Sequence, residues 1–183
     1  MRGKWFVALL FTVLLSFYAF LANATECGET FLVGQGIFDI TGPPAEIPMM
    51  GYGMMEQTTA GIHMRLRSRA FVVQSLCNGK RIVFVSADLG MIFQAVKEGV
   101  LRKLHETFGD LYTDQNVLLS AIHTHSGPGG YSHHIMYDFT IKGFHEKTYQ
   151  VIVNGIYKSI VTAHHNLRKT KIFQNKGDLL LAS

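Results

Sequence analysis

Cysteine is scarce in this sequence of 183 residues, which contains only Cys27 and Cys77. A small domain held together by disulfides would need more of them. The two cysteines are far apart, so they form neither a CxxC redox motif nor a zinc ribbon. They can pair in an oxidising compartment, and we expect either two unpaired thiols or one bridge without a catalytic role.

Charge is also low, at 16% of residues, with a formal net charge of +4. Arg2 and Lys4 lie in a segment that we expect to be removed, and without them 15 of the 17 basic residues face 13 acidic ones, a net charge near +2. The basic residues are scattered rather than clustered, so nucleic acid is not an expected partner. The hydrophobic fraction of 48% fits one globular domain or a part of one.

A complete nucleotide-binding loop is lacking as well. Gly34 and Gly36 lie within an apolar stretch at residues 31–41. No third glycine follows at the dinucleotide spacing, and the pattern does not begin a helix there. The two glycines instead predict a bulge or a close approach of another backbone.

The first 24 residues are typical of a secretory signal. Arg2 and Lys4 precede an almost wholly apolar run at residues 5–21, and small residues lead up to Ala24. We predict cleavage after Ala24 and a secreted or extracytoplasmic protein. The alternative is an uncleaved membrane anchor, because the apolar run is nearly long enough to span a bilayer.

Hydrophobic periodicity in the remaining sequence predicts an α/β fold, a layered mixed β-sheet with packed helices. The predicted elements are strands at 31–41, 62–76, 81–87 and 116–122, helices at 92–108 and 144–167, and a strand that begins within 171–175. The order strand, helix, strand around helix 92–108 predicts a parallel pair with a right-handed crossover.

Single segments carry further predictions. Asn78-Gly79 predicts a hairpin turn, and the continuous apolar run at 81–87 predicts a strand buried on both faces. Arginines alternate along 62–69, which favours a solvated strand face over an anion site. The methionine-rich and glycine-rich loop at 48–55 favours core filling, with a greasy substrate channel as the alternative.

The segment Ile122–Tyr131 (IHTHSGPGGY) follows a predicted strand and ends in a glycine-rich loop. If strand geometry persists through His125, the side chains of His123 and His125 point to the same face and converge at the rim of the sheet. Paired imidazoles suit zinc, and open α/β sheets place ligands at the carboxyl ends of their strands. From the residues alone both histidines are candidate ligands; the alternative is surface residues that fix a loop.

Other polar residues are weaker candidates. Asp88 ends the strand at 81–87 and is a candidate to orient a ligand if the two strands are neighbours. His133 and His134 are expected at an access rim. His164 and His165 fall in the last turn of a helix, where positive charge favours the helix dipole, and are not expected to bind metal.

The block from His123 to Tyr131 resembles the neutral/alkaline ceramidases. The same resemblance extends over most of the chain, in segments 39–43, 50–52, 62–71, 84–88, 109–112 and 175–177. It implies a zinc amidase that hydrolyses ceramide to sphingosine and a fatty acid, with a membrane surface as the source of substrate. It also implies that His123 binds Zn²⁺ through a ring nitrogen, and that His125 lies beside the metal to bind or protonate the substrate.

The resemblance further implies that residues 25–183 are the amino-terminal part of a larger catalytic domain, because the family's later zinc ligands are not in this sequence. One imidazole cannot hold a tetrahedral zinc ion, so the chain alone is expected to be inactive and to bind zinc weakly. An incomplete sheet is expected to expose an unpaired edge and apolar surface. The alternatives are another zinc amidase or esterase on the same scaffold, or a non-catalytic secreted domain that binds lipid or a partner.

Overall fold

A computed structural model describes Gly28 and residues 30–178. Its elements are strands β1 (Phe31–Asp39), β2 (Ala45–Pro48), β3 (Thr58–Ala60), β4 (Arg67–Ser75), β5 (Arg81–Ala87), β6 (Val117–Ala121) and β7 (Arg168–Thr170), and helices α1 (Gln94–Phe108), α2 (Ile135–Asp138) and α3 (Glu146–His165). A 3₁₀ turn at Gly109–Leu111 follows α1. The predicted signal segment and Cys27 lie outside the described residues.

Five strands form one sheet in the order β6-β5-β4-β1-β7, and β2 pairs with β3 in a separate two-stranded sheet. The pair β5–β6 is parallel, and the other pairs of the large sheet are antiparallel. This confirms the predicted mixed sheet and the parallel pair around α1. Within residues 28–178, no helix is long and apolar enough to cross a membrane.

The hairpin between β4 and β5 forms where the Asn-Gly pair predicts it. Gly79 adopts φ +68°, and Ser75 N–H donates to the carbonyl of Lys80 at 2.9 Å. Cys77 lies in this turn and is disulfide-bonded. Of the two alternatives that the sequence leaves open, a bridge is therefore the one found for Cys77.

Helices α1 and α3 cover one face of the sheet, and the core lies between them and the strands. Alternate residues of β4 and β5 point towards the helices and are fully buried: Ala70, Val72, Val83 and Val85, packed with Val96, Val100, Ile156 and Ile160. Burial of each branched side chain of this kind contributes roughly 1.5–3 kcal/mol, so this layer dominates the stability of the fold.

The two glycines of β1 mark the closest approach of the sheet to α3. A Cβ on Gly34 would overlap the carbonyl of Ala163, and one on Gly36 would overlap that of Ser159. The register of β1 with β4 runs without a shift from Phe31 to Asp39. Of the two readings of the sequence, close backbone approach is right and a bulge is wrong.

The second face of the sheet is open, so the prediction that β5 is buried on both faces is wrong for the described residues. Ile82 and Phe84 of β5 lie on this open face and are exposed. Both faces of β5 are apolar, as the sequence pattern indicates. Helices α1 and α3 cover only one of these faces.

The predicted elements differ from the structure most clearly at β4, at β7, and at β2 and β3. The strand predicted from residue 62 begins at Arg67, because residues 62–66 form an irregular segment before β4. The last strand is Arg168–Thr170, whereas 171–175 are irregular. Strands β2 and β3 have four and three residues, too few to show a period in the sequence.

Candidate metal and catalytic site

The two histidines of the IHTHSGPGGY segment lie at the carboxyl end of the parallel pair β5–β6, as the sequence predicts. Beyond β6 the chain continues beside the end of β5: Ile122 N–H donates to the carbonyl of Ala87, and Thr124 N–H donates to that of Leu89, both at 3.1 Å. These two bonds fix the backbone on either side of His123.

The reason given for the convergence of the histidines, continued strand geometry, is wrong. Strand β6 ends at Ala121, and His123 adopts the left-handed conformation with φ +64°. A residue other than glycine is uncommon in this region and costs of order 1 kcal/mol or more to hold there. The hydrogen bonds of Ile122 and Thr124 on either side hold His123 in this conformation.

Backbone carbonyls orient both imidazoles. His123 Nδ1 is 2.9 Å from the carbonyl oxygen of Gly90, and His125 Nδ1 is 2.8 Å from that of Met50. A carbonyl can only accept, so each Nδ1 carries the hydrogen and each neutral ring presents a lone pair at Nε2. Anchoring of this kind is typical of metal-binding histidines.

The two Nε2 atoms face each other at 3.3 Å, with the rings nearly perpendicular at 87°. Two lone pairs at this distance repel unless a proton or a cation lies between them. Zn–N bonds of about 2.0–2.1 Å at a tetrahedral angle place two nitrogens about 3.3–3.4 Å apart. The residues present therefore fit two corners of a zinc site, and they equally fit one ligand beside a proton-carrying neighbour.

Further ligands would have to come from elsewhere. Among residues 28–178, no group of three or more histidine, cysteine, aspartate or glutamate side chains is arranged to hold a metal ion. Zinc sites in proteins use three or four protein ligands. Within the described part of the chain, His123 and His125 would thus supply at most half of such a site, and we call this pair the half-site.

The segment that carries Met50 is fixed to the glycine-rich loop. Met50 N–H donates to the carbonyl of Gly127, and Gly129 N–H donates to that of Pro48, both at 3.0 Å. The Met50 side chain is buried in the core, which confirms core filling for this methionine of the loop at 48–55. The same residue therefore packs the core and orients His125 through its carbonyl.

Gly51 allows this arrangement for two reasons. Its φ of +83° lies in the region that favours glycine. A Cβ at this position would also overlap the imidazole of His125. The sequence indicates a flexible loop here, but it gives no sign of which backbone carbonyls orient the histidines.

A groove of about 800 Å³ lies beside Thr124 and Ser126, the two neighbours of His125 in the chain. Residues 58–64 line it, together with Thr124, Ser126, Gly127 and Pro128 among others. Its apolar lining comes from Met49, Ile62, Met64 and Leu66 among others. His125 itself does not line the groove, whereas its neighbours Thr124 and Ser126 do.

Asp88 does not orient the histidines. Its carboxylate accepts from Arg69 Nη1 at 2.7 Å and from the backbone N–H of Arg67 at 2.8 Å, so both oxygens are used by β4. Arg67 also lies 3.5 Å from Asp39 on the same face. Asp88 therefore ties the end of β5 to β4, and the arginine row is paired with carboxylates rather than aimed at a ligand.

The remaining histidines do not join the pair. His133 stacks on Phe144, with ring centroids 4.0 Å apart, and His134 directly precedes the short helix α2. Both follow the glycine-rich loop in the chain, and no contact with His123 or His125 places them at its rim. Their role there stays a prediction.

His164 is more than a charge near a helix terminus. Its Nδ1 accepts from the Tyr112 hydroxyl at 2.7 Å and from Arg81 Nη1 at 3.3 Å. Burial lowers the pKa of His164 below its ordinary 6.5, and the charges of Arg81 and His165 lower it further. A neutral His164 fits this network, which corrects the interpretation of its role as a favourable cation at the end of α3.

The family model described as "Neutral/alkaline non-lysosomal ceramidase, N-terminal" matches residues 31–183. The chain belongs to this ceramidase family. It is 51% identical over 176 residues to a neutral ceramidase of Oryza sativa, covering 96% of this chain and 22% of the relative. It is 47% identical over 179 residues to one of Pseudomonas aeruginosa, covering 98% of this chain and 26% of the relative.

A crystal structure of the neutral ceramidase from Pseudomonas aeruginosa has the same fold in the matched region. The TM-score is 0.75 at 51% identity, over 76% of this chain and 22% of that chain. A second structure with the same TM-score, identity and coverage is that of a ceramidase complexed with C2. The chain thus spans about a quarter of the length of these ceramidases, and the predicted family and α/β fold are both confirmed.

Proposed function

We propose that this chain forms part of the catalytic domain of a zinc-dependent ceramidase, which hydrolyses the amide bond of ceramide to sphingosine and a free fatty acid. The observation that carries the proposal is the pair of Nε2 atoms facing each other at 3.3 Å, each ring anchored at Nδ1 by a carbonyl. The ceramidase names of the relatives support the substrate.

In this proposal His123 holds the metal through Nε2, and its bond to Gly90 keeps the ring in the required tautomer. Zinc, when bound, polarises an amide carbonyl and lowers the pKa of a water molecule. The remaining ligands come from polypeptide that the relatives have outside the matched region. The half-site accounts for the expectation that this chain alone binds zinc weakly and is inactive.

His125 is the proposed acid–base residue. Its Nε2 lies next to that of His123, and its Nδ1 bond to Met50 leaves Nε2 free to carry the proton. Cleavage of an amide needs a proton on the departing nitrogen, here the amine of sphingosine. An imidazole nitrogen is the group that proteins use most often for such a proton transfer.

The groove at residues 58–64 is the proposed path for one alkyl chain of the substrate. Met49, Ile62 and Met64 provide apolar lining. Thr124 and Ser126, which flank His125 in the chain, also line the groove. Methionine side chains adapt to flexible apolar ligands. We also propose that ceramide reaches this groove from a membrane surface.

An exported protein is part of the proposal. The disulfide at Cys77 supports an oxidising compartment. Intact-mass analysis of the exported protein tests the predicted signal: a mature amino terminus at Thr25 is expected, whereas retention of Met1 would favour the membrane-anchor alternative.

The decisive experiment uses a chimera in which residues 31–183 replace the matched region of the Pseudomonas aeruginosa enzyme. It is expected to contain stoichiometric zinc and to release sphingosine from ceramide. His123→Ala should abolish both, and His125→Ala should abolish release while most of the zinc remains. His105→Ala, at an exposed position of α1 that does not line the groove, is the control.

Zinc without ceramide hydrolysis, together with cleavage of simple amides or esters, would favour another hydrolase on this scaffold. A well-folded chimera that lacks zinc would contradict the metal assignment and favour a lipid-binding or partner-binding domain.

A further inference from the structure

The two edges of the large sheet differ in chemistry. Strand β7 forms one edge; it has three residues, Arg168, Lys169 and Thr170, all exposed and two of them basic. Short, charged edge strands are protected against pairing with further strands. Strand β6 forms the other edge with the uncharged sequence VLLSA, without proline, bulge or lysine. It has none of the features that block strand addition.

The backbone of β6 offers hydrogen bonds on its outer side. Val83 N–H donates to the carbonyl of Asn116, and Ile122 N–H donates to that of Ala87, so even-numbered residues of this strand point their backbone groups at β5. Since these groups alternate along a parallel strand, those of Leu119 and Ala121 point outwards. No strand among residues 30–178 pairs with that side.

The open face of the sheet next to this edge is apolar. Phe71, Phe84 and Leu118 are direct neighbours across β4, β5 and β6 and form one row on this face, which we call the aromatic row. The two phenylalanines are each 39% exposed and Leu118 is 62% exposed. Ile82 and Val73 form a second cross-strand pair beside it. An exposed apolar row of this kind is typical of a surface that other polypeptide covers.

The composition of β5 also indicates that the open face of the sheet is covered. Its residues Ile82 to Val85 are apolar on both faces, a pattern of strands that are buried on both sides. Parallel strands such as β5 and β6 are also usually covered on both faces. The relatives are about four times as long as the matched region, so polypeptide to cover this surface exists within the same family of enzymes.

We propose that the outer edge of β6 and the aromatic row are an intramolecular docking surface. The occupant is the part of the ceramidase that this chain does not span, which adds a strand to β6 and lays an apolar layer over Phe71, Phe84 and Leu118. His123 follows β6 by two residues, so the added polypeptide is brought to the edge where further metal ligands are required. This inference concerns assembly and does not depend on the reaction.

The first test mixes the full chain with a complementary fragment of the Pseudomonas aeruginosa enzyme that lacks the matched region. Sedimentation should show a one-to-one complex, and hydrogen exchange should slow at the amides of Leu119 and Ala121. Leu118→Lys should weaken association about tenfold or more, because a lysine is costly to bury in an apolar contact.

The matched control is Ile172→Lys. Ile172 is 57% exposed, close to the 62% of Leu118, and lies beyond the opposite edge strand. It should leave association unchanged. A complex without added protection at Leu119 and Ala121, or equal effects of the two lysines, would overturn the proposal. A chain that dimerises by itself through β6 would replace the proposed occupant with a second copy.

The second test does not require the fragment to fold alone. In the chimera described above, Leu118→Lys should lower the melting temperature by several degrees, whereas in the isolated 183-residue chain it should have almost no effect. Ile172→Lys should be nearly neutral in both. If Leu118→Lys is equally mild in the chimera, the aromatic row is not covered and the proposal fails. Neither measurement needs catalytic activity. Failure of the docking proposal can therefore be distinguished from failure of the ceramidase proposal.

Discussion

The carbonyl of Met50 accepts a hydrogen bond from His125 Nδ1 at 2.8 Å across 75 positions of sequence. This bond joins the loop after β2 to the turn after β6, two segments that meet only in the folded chain. It fixes both the tautomer and the direction of the His125 ring. The site therefore depends on the position of a backbone group as much as on the histidines.

Gly51→Ala tests that dependence. The added methyl group would overlap the His125 ring, and φ +83° disfavours alanine. We expect a loss of about 1–3 kcal/mol in the free energy of unfolding, together with a displaced His125 ring seen in imidazole NMR spectra. Gly53→Ala is the matched control, because Gly53 has φ +67° and open space around its Cα. Equal effects of both substitutions on the His125 spectrum would contradict a steric role for Gly51.

Zinc titration of the isolated chain distinguishes one ligand from two. If His123 alone binds the metal, His123→Ala should abolish the weak binding measured by calorimetry, and His125→Ala should change it about tenfold or less. If both are ligands, each substitution should abolish it. His133→Ala is the control, because His133 stacks on Phe144 instead of facing the pair. Loss of binding in the control alone would place the zinc elsewhere.

A buried serine pair connects β4 to α3. Ser159 donates to the carbonyl of Ile156 at 2.7 Å, so Ser68 must donate in the 2.8 Å contact between the two hydroxyls. Ser159→Ala leaves the Ser68 hydroxyl without its acceptor and should cost about 1–3 kcal/mol in urea unfolding. Adding Ser68→Ala to this variant should recover part of the loss. Thr162→Ala, on the exposed side of α3, should stay within about 0.5 kcal/mol of the unchanged protein.

His164 should make the fold sensitive to acid. Its pKa in the folded chain lies below the ordinary 6.5, first because it is buried and then because Arg81 and His165 are near. Below about pH 6.5 the unfolded chain binds a proton at this residue before the folded chain does, so the free energy of unfolding falls as the pH falls through this range. Above it, both states are neutral and the contribution is constant.

His164→Gln keeps an acceptor for the Tyr112 hydroxyl and removes the titration. Its free energy of unfolding, measured by urea denaturation at several pH values, should fall less between pH 7.5 and pH 5 than that of the unchanged chain. The exposed His134→Gln should retain the full dependence. An unchanged slope in His164→Gln would show that other groups control the acid sensitivity.

Prediction from sequence succeeded where long periodic patterns determine the structure. The helices that became α1 and α3, the Asn-Gly hairpin and the parallel pair β5–β6 all follow from local patterns. The location of His123 at the end of β6 follows from the same parallel pair. Strands β2 and β3 were missed because each is shorter than the pattern that would reveal it.

The interior of the site was less predictable because backbone atoms build much of it. Neither the carbonyls of Gly90 and Met50 nor the left-handed turn at His123 has a signature in side-chain chemistry. Asp88 was misjudged since its partners, Arg67 and Arg69, come from the antiparallel neighbour β4, whose position beside β5 fixes the carboxylate. Contacts between distant segments decided each of these points.

The anchoring of the two rings on separate loops has a mechanical consequence. Gly90 follows β5 and Met50 follows β2. The distance between the two Nε2 atoms therefore depends on the relative position of these two loops. A displacement of the loop after β2 would move the acceptor of His125 without moving that of His123. In the ceramidase proposed above, a ligand that displaced the loop after β2 would therefore change the distance between the two Nε2 atoms.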